Sequence, residues 1–321
     1  VLLLEPPGLR FMAALFGCVY AGAIVVPSYP PGPREGTKSS SRFLRIVQDA
    51  QPAVVIGSGR SLETAQRTTQ SIVSAELPCV DLDSLTGQVE DDWTEPKLSH
   101  SDVALIQYTS GSTGAPKGVT LTHGNFLTNL QAIAIATGVS ASSVGVSWLP
   151  PYHDMGLHCI LLPVYVGFMV AHMSPNQFLF RPLCWLEAVT RYRVTICTAP
   201  NFAYEICTNR IAEEQRSQLN LSSWEVALNG AEPIRHETLN RFSKAFAGCG
   251  FKSTTMQPCY GLAEATLWVS GKPVQTEPLL GRFSKTDLER GLVVPLGQAG
   301  TDALQGTLPE RMLVSNGRVA D

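Results

Sequence analysis

Short runs of β-branched and other apolar residues alternate with longer helical stretches along most of the chain. Residues 1–4 predict a strand, and residues 10–22 predict an apolar helix after the Pro7-Gly8 turn. A repeated strand–helix order favours an α/β fold with mainly parallel sheets flanked by helices. The pattern predicts further strands at 53–56, 79–82, 103–108, 194–198 and 224–228, and further helices at 39–50, 61–75, 182–192, 202–212 and 235–247.

The composition is that of a folded protein with a large core. Of the 321 residues, 44% are hydrophobic and 16% are charged, which argues against general disorder. The net charge is -3 and no basic block is present, so nucleic acid and anionic membrane surfaces are poor candidates for a partner. The most apolar stretch, 160–173, contains Pro163 and Gly167 and is too short to cross a bilayer, so we expect no integral membrane segment.

The eight cysteines indicate the cellular compartment of the protein, and the two ends of the chain indicate whether it is truncated. No two cysteines form a CxxC pair and most lie in apolar stretches, which predicts buried, reduced thiols in a cytoplasmic protein. The first residues, VLLLEPPG, lack an initiator Met and the basic start of a signal peptide. The last residues end in an apparent strand and turn. We therefore expect a chain truncated at both ends.

The strongest local motif is YTSGSTGAPKGV, residues 108–119. Its glycines allow backbone N–H groups to approach phosphate oxygens, its hydroxyls add donors, and Lys117 adds positive charge. Composition alone leaves a flexible polar turn as an equal alternative. The Walker phosphate-binding motif does not fit, because Lys117 follows Pro116 and precedes Gly118.

Three further strings follow in order: SWLPPYHDMGL (147–157), NGAEP (229–233) and CYGLAEA (259–265). Taken singly, each has an ordinary interpretation. His153 is then a structural histidine, the second string is a turn after a strand, Tyr260 is a core residue and Glu264 is a solvated charge. Four such strings in order over about 150 residues argue against coincidence.

All four strings resemble the signatures of the adenylate-forming superfamily, which includes acyl-CoA synthetases, luciferases and peptide-synthetase adenylation domains. The resemblance implies ATP and Mg²⁺ as cofactors and catalytic roles for Lys117, His153 and Glu264, with Mg²⁺ held by Thr113 and Glu264. It also implies an ATP- or AMP-binding set made of Thr109, Ser110, Gly111, Ser112, Thr113, Gly114, Lys117, Asn229, Gly230, Ala231, Glu232, Tyr260, Gly261, Leu262 and Ala263.

The same resemblance implies an acyl-binding site. His153 is expected to position the substrate carboxylate, and Asp154 to orient the loop. Apolar candidates for the acyl slot, for each of which core packing is an at least equal alternative, are Met155, Leu157, Leu161, Phe202 and Tyr204. Such a slot is needed because each buried CH₂ contributes about 0.8 kcal/mol.

Longer segments, among them FGCVYAGAIVVPSYPP, RPLCWLEAVTRY and PNFAY, are similar to the fatty acyl-AMP ligases, which load fatty acids onto acyl carrier proteins of polyketide and lipopeptide assembly lines. The resemblance implies that residues 1–321 are a partial N-terminal adenylation domain. In this interpretation 271–307 is a candidate ligase-specific insertion and a mobile C-terminal domain is absent, so the fragment alone is incomplete for turnover.

The expected function is ATP-dependent conversion of a fatty acid to acyl-AMP and pyrophosphate, followed by transfer to an acyl carrier protein. A fatty acyl-CoA synthetase is the alternative within the same chemistry. A non-catalytic nucleotide-binding fragment is the alternative of another class. Departures from the ligase pattern at His158-Cys159 and Thr198-Ala199 leave the acyl chain length open.

Overall fold

The structure is a computed structural model that describes residues 1–31, 38–69, 77–85, 93–109, 116–296 and 309–319. The chain divides into two compact units. The first consists of Val1–Gln131 and Leu149–Leu161, and the second of Ala132–Trp148 and Leu162–Asp321.

The first unit contains a parallel sheet and an antiparallel hairpin. Its sheet has the strand order β2-β1-β3-β4, and β5 and β6 pair with each other. The strands are β1 (Leu2–Leu3), β2 (Val26–Pro27), β3 (Val55–Gly57), β4 (Cys79–Asp81), β5 (Val103–Thr109) and β6 (Lys117–Thr122). The helices are α1 (Leu9–Tyr20), α2 (Lys38–Ala50), α3 (Gly59–Thr69) and the first parts of α4 (His123–Thr137) and α5 (Asp154–Val166).

Helix α2 shows how the sequence pattern positions an element of the first unit. Phe43, Ile46 and Val47 recur at helical spacing and are all buried. They pack in one cluster with Leu2 of β1 and Tyr108 of β5. Because the apolar face of α2 is buried in this way, its polar residues lie beside the end of β5.

The second unit is built on one larger sheet with the strand order β15-β12-β11-β10-β9-β7-β8, in which β11, β10, β9, β7 and β8 are parallel. The strands are β7 (Val144–Ser147), β8 (Met169–His172), β9 (Ile196–Pro200), β10 (Val226–Gly230), β11 (Met256–Gly261), β12 (Trp268–Gly271), β13 (Leu280–Ser284), β14 (Glu310–Val314) and β15 (Arg318–Val319). The helices are α6 (Pro175–Phe180), α7 (Leu183–Tyr192), α8 (Asn201–Arg210), α9 (Glu213–Arg216), α10 (His236–Phe246) and α11 (Lys285–Glu289).

Aromatic side chains form the core of the second unit. Trp185 of α7 and Tyr204 of α8 are fully buried, with ring centroids 5.6 Å apart. Trp224 and Phe242 of α10 lie 6.3 Å apart, in edge-to-face geometry. Large aromatic side chains contribute much of the apolar burial in a core, so this cluster fixes α7, α8 and α10 against the sheet.

The predicted α/β fold is confirmed, and each predicted strand and helix of the described residues has a counterpart within a few residues. Strands β2, β7, β8, β11, β12 and β13 were not predicted, and neither was strand β6. Its sequence KGVTLT is buried only at Leu121, so it lacks the apolar run of a central strand. Among the described residues, no helix is long and apolar enough to span a membrane.

Candidate functional site

The predicted phosphate loop joins the two strands of the β5–β6 hairpin. Thr109, the last residue of β5, lies opposite Lys117, the first residue of β6. Lys117 is exposed. The hairpin thus holds one hydroxyl residue and one cation side by side where the loop begins and ends. The predicted ligands Ser110, Gly111, Ser112, Thr113 and Gly114 lie outside the described residues.

Helix α2 makes two hydrogen bonds to Tyr108, which lies just before this loop. Arg42 Nη2 donates a hydrogen bond to the carbonyl oxygen of Tyr108, at 3.0 Å. The Tyr108 hydroxyl donates to a carboxylate oxygen of Asp49, at 2.5 Å. Burial, followed by this bond to Asp49, raises the pKa of Tyr108. The hydroxyl therefore stays protonated and remains a donor.

A cavity of 330 Å³ lies in the first unit between α2, β5 and the start of the HDMG segment. Its mostly apolar wall includes Tyr29, Phe43 and Tyr108. Arg42 and His153 also line it, and Arg42 is its cation among the described lining residues. A polar or anionic group that enters this cavity therefore meets one permanent charge and one imidazole.

His153 is a neutral group in this setting. Although the residue is exposed, desolvation of its ring lowers its pKa, Asp154 opposes that shift, and Arg42 adds to it. The ring is therefore uncharged near pH 7. Its chemistry in the cavity is to donate or accept a hydrogen bond, and Arg42 supplies the charge.

The residues after His153 turn sharply into α5. A Cβ atom at Gly156 would lie 2.0 Å from the carbonyl oxygen of Pro150, so only glycine fits this close approach. Leu157 is fully buried in a core cluster, against which Leu161 packs, which favours core packing for both. Met155 is half-buried.

His158 is a buried histidine of the core. It is 3% exposed, and its Nδ1 lies 2.8 Å from the carbonyl oxygen of Asp154. Burial lowers the pKa of His158 to about 4. Its Nε2 has no hydrogen-bond partner among the described residues.

In the second unit, the remaining motifs come together at the carboxyl ends of three adjacent parallel strands. Gly230 at the end of β10 lies opposite Pro200 at the end of β9. Asn229 lies opposite Pro258 of β11, and that strand continues to Gly261. Ligands of open α/β sheets bind at this edge. The predicted adenine-binding segments thus lie side by side.

The segment 229–232 is held by contacts from α8. Glu232 Oε1 accepts a hydrogen bond from the backbone N–H of Phe202, at 2.6 Å. Asn229 is fully buried, and its Oδ1 has no partner among the described residues. Ala231 has φ +66°, a left-handed conformation that residues other than glycine seldom adopt. A strained, pre-shaped turn with one spare acceptor is suited to a ligand with N–H donors.

The CYGLAEA segment offers a ring and a carboxylate. Tyr260 is 48% exposed at the end of β11, beside a bulge between Tyr260 and Gly261. A Cβ atom at Gly261 would lie 2.0 Å from the carbonyl oxygen of Leu267, which explains the glycine. Glu264 is exposed in the short 3₁₀ turn Ala263–Ala265. Leu262 and Ala263 shape this turn with their backbone.

The two predicted acyl-binding residues of α8 differ in exposure. Phe202 is 37% exposed, and its ring centroid lies 6.1 Å from that of Trp148, which stacks on Phe178 at 3.9 Å. Tyr204 is fully buried and donates its hydroxyl to the carbonyl oxygen of Leu228, at 2.8 Å. Phe202 is therefore available to a ligand, whereas core packing accounts for Tyr204.

Three residues of these sites were not identified from the sequence. Arg42 and Asp49 belong to the polar side of an amphipathic helix, where a charge is normally only solvated. Asn201 follows a predicted strand and looks like an ordinary helix start. The signal that would single them out is tertiary, since their partners Tyr108 and Arg235 lie far along the chain.

Comparison with known proteins agrees with these motifs. The family of AMP-binding enzymes matches residues 1–289. The chain is 39% identical over 301 residues to the medium-chain-fatty-acid–[acyl-carrier-protein] ligase JamA of Moorena producens, covering 93% of this chain and 51% of that protein. It is 32% identical over 310 residues to the long-chain-fatty-acid–AMP ligase FadD32 of Mycobacterium marinum, covering 95% of this chain and 49% of that protein.

A solved structure is similar over nearly the whole chain. It is a fatty acyl-adenylate ligase from L. pneumophila in complex with acyl adenylate and pyrophosphate, with a TM-score of 0.88 and 38% identity, covering 99% of this chain and 54% of that chain. The similarity to fatty acyl-AMP ligases that the motifs indicate is thus confirmed. The chain spans about half the length of the curated relatives it matches.

Proposed function

Because the chain belongs to the family of AMP-binding enzymes, we propose that it is part of a ligase that activates a fatty acid with ATP and delivers the acyl group to an acyl carrier protein. One observation carries the proposal. The ends of β9, β10 and β11 are adjacent, and the partly exposed residues Phe202, after β9, and Tyr260, at the end of β11, come from the two strands that flank β10 and its segment 229–232. An apolar surface and a stacking surface thus flank one polar turn.

The proposed reaction joins two anions. A carboxylate oxygen of the fatty acid attacks the α-phosphorus of ATP, and the bond from that phosphorus to the bridging oxygen breaks. Pyrophosphate leaves with the electron pair, and no proton is transferred. The protein must therefore offset negative charge and hold the reactants in line.

Residues of the first unit are suited to the phosphates and the carboxylate. Lys117 presents an ammonium group at the base of the phosphate loop, opposite Thr109. His153, kept neutral by desolvation, is proposed to hydrogen-bond the substrate carboxylate. A neutral imidazole orients the carboxylate without trapping it in an ion pair.

Residues of the second unit are suited to the nucleoside. The half-exposed ring of Tyr260 is proposed to stack on adenine. The unpaired Oδ1 of Asn229 suits an amino-group donor. Gly230, Ala231 and Glu232 line the turn between them.

Mg²⁺ fits the proposed site through Glu264. The ion usually takes one or two protein carboxylates and completes its shell with phosphate oxygens and water. Glu264 is exposed and has no hydrogen-bond or ion-pair partner among the described residues. No group of three or more His, Cys, Asp and Glu residues in the described ranges could hold a metal alone. When bound, Mg²⁺ supplies charge neutralisation on the phosphates.

The domain assignment and location are part of the proposal. Residues 271–307 are proposed as the ligase-specific insertion, supported by the separate two-stranded β13–β14 sheet, whose first strand lies within this range. A mobile C-terminal domain is proposed for the full-length protein. All eight cysteines are thiols outside any disulfide, which is compatible with the proposed cytoplasmic location.

The test gives the full-length protein ATP, Mg²⁺ and dodecanoate, with and without CoA, and identifies products by mass spectrometry. We expect acyl-AMP that persists when CoA is present. Conversion to acyl-CoA would instead identify a synthetase, and absence of any acyl-AMP would contradict the proposal.

A matched pair of variants tests the phosphate loop in the same assay. Lys117→Ala removes the proposed phosphate contact and is expected to lower the rate of acyl-AMP formation about 100-fold or more. Lys97→Ala removes another exposed lysine of the same unit and is expected to keep the wild-type rate. Equal rates for the two variants would contradict the assignment of Lys117.

A further inference from the structure

Helix α8 and the segment 229–235 are joined by reciprocal hydrogen bonds. The carboxylate of Glu232 accepts from the N–H of Phe202, in the first turn of α8, at 2.6 Å. In the other direction, Asn201 Oδ1 accepts from the N–H of Arg235, at 3.2 Å. Each element thus satisfies a backbone donor of the other.

Asn201 is the buried centre of this junction. It is 3% exposed, and its Nδ2 donates to Thr238 Oγ1 of α10, at 3.2 Å. Asn229 Nδ2 lies 3.5 Å from the same Oδ1 that receives the Arg235 N–H. Because buried polar groups are costly to leave unpaired, movement of the segment would disturb Asn201 and with it the start of α8.

Glu232 completes a helix terminus that lacks its own cap. The residue before α8 is Pro200, which makes no side-chain cap hydrogen bond. A carboxylate near a helix N-terminus is stabilised by the free N–H groups and the helix dipole. The left-handed conformation of Ala231 places this carboxylate on a turn that needs outside contacts to keep its shape.

We infer that Glu232 and Asn201 are positioning residues that couple nucleotide binding at 229–232 to acyl binding at Phe202. The inference rests on the proposed function, which places the two ligands at these elements. A nucleotide that orders the segment also orders the first turn of α8, so the acid binds more tightly. By linkage, the acid increases the affinity for nucleotide by the same factor.

The test measures this factor in the full-length protein. Dodecanoate and α,β-methylene-ATP are each titrated alone and with the other at saturation, by calorimetry. We expect reciprocal tightening of about 5-fold or more in the wild type. Glu232→Ala is expected to bring the factor close to 1. Glu232→Gln, whose amide oxygen can accept the same hydrogen bond, is expected to retain most of it.

Arg241→Ala is the matched control. It removes a side-chain bond between Arg241 of α10 and Asn209 of α8, at the far end of α8 from the junction. We expect the wild-type factor in this variant. A factor of 1 in the wild type, or an unchanged factor in Glu232→Ala, would overturn the inference. If Glu232→Ala only removed a direct contact with the nucleotide, it would weaken nucleotide binding equally with and without the acid. The coupling factor would then stay unchanged.

Hydrogen exchange of the wild type gives a second test that needs no variant. Saturating α,β-methylene-ATP alone should slow exchange of the Phe202 amide about 5-fold or more, in step with the coupling factor. Unchanged exchange on nucleotide binding would overturn the inference. If the wild type forms acyl-AMP but shows no coupling, this inference fails and the proposed function stands. If it forms no acyl-AMP, the proposed function fails.

Discussion

Two histidines five residues apart in the HDMG region have different environments. His153 lines a cavity that also contains Arg42, whereas His158 is enclosed by the core and packs against Phe126, with ring centroids 5.8 Å apart. Burial lowers the pKa of both side chains. At the residue scale, His153 is therefore a proposed substrate contact, whereas His158 is a residue of the core.

The buried His158 predicts a pH dependence of stability. Its pKa is about 4 in the folded state and about 6.5 in the unfolded state. The unfolded state thus binds more protons as the pH falls below about 6.5, so the free energy of unfolding decreases towards pH 4. The slope from this group approaches about 1.4 kcal/mol per pH unit.

Urea unfolding of the wild type and His158→Phe between pH 7.5 and pH 4.5 checks this prediction. Phenylalanine cannot be protonated, so the variant should lose stability less steeply as the pH falls. An identical slope in the two proteins would show that His158 does not contribute.

At the element scale, α2 connects the core to the proposed phosphate loop. Its apolar face packs in the cluster that contains Tyr108, and its polar residues Arg42 and Asp49 bind the same tyrosine. Tyr108, at the end of the strand before the loop, is therefore held through its ring, its hydroxyl and its carbonyl oxygen. A loop that is proposed to bind a triphosphate gains from a fixed starting point.

The bond from Tyr108 to Asp49 predicts a change in nucleotide affinity. Asp49→Ala and Tyr108→Phe should each raise KM for ATP about 5-fold, with a smaller effect on kcat, because each removes one hydrogen bond that positions the loop. The double variant should be no worse than either single variant, since both remove the same bond. Gln48→Ala, an exposed neighbour on α2, is the control and should keep the wild-type KM. Additive effects in the double variant would contradict a shared bond.

At the scale of the whole molecule, the chain forms two units with their own cores. Cys18 is buried in the first unit, and Cys197, Cys207 and Cys249 are buried in the second. Burial raises the pKa of Cys18, Cys207 and Cys249. Since the thiolate is the reactive form, these thiols are doubly protected in the folded protein.

Pulse alkylation across a urea titration, read by peptide mass spectrometry, tests whether the core of the second unit unfolds in a single step. Cys197, Cys207 and Cys249 are expected to become reactive at one urea concentration, because the parallel sheet and its helices share one core. Cys79, which is half-buried, should react at lower urea and serves as the control. Reaction of Cys207 well before Cys197 would show that α8 separates from the sheet early.

The sequence by itself determined the α/β class, six of the strands with helices between them, and the four motif strings. These are local properties, because alternation, helical spacing and turn residues act over a few positions. The antiparallel strand β6 was missed because its residues are mostly exposed and lack an apolar run.

Only the tertiary structure decided which motif residues are engaged by the protein itself. Glu232 binds the first turn of α8, Tyr204 belongs to the core, and Asn201 joins three elements. Each of these contacts links residues more than 20 positions apart. The physical reason is that burial and hydrogen-bond partners arise from packing between distant segments, which no local pattern specifies.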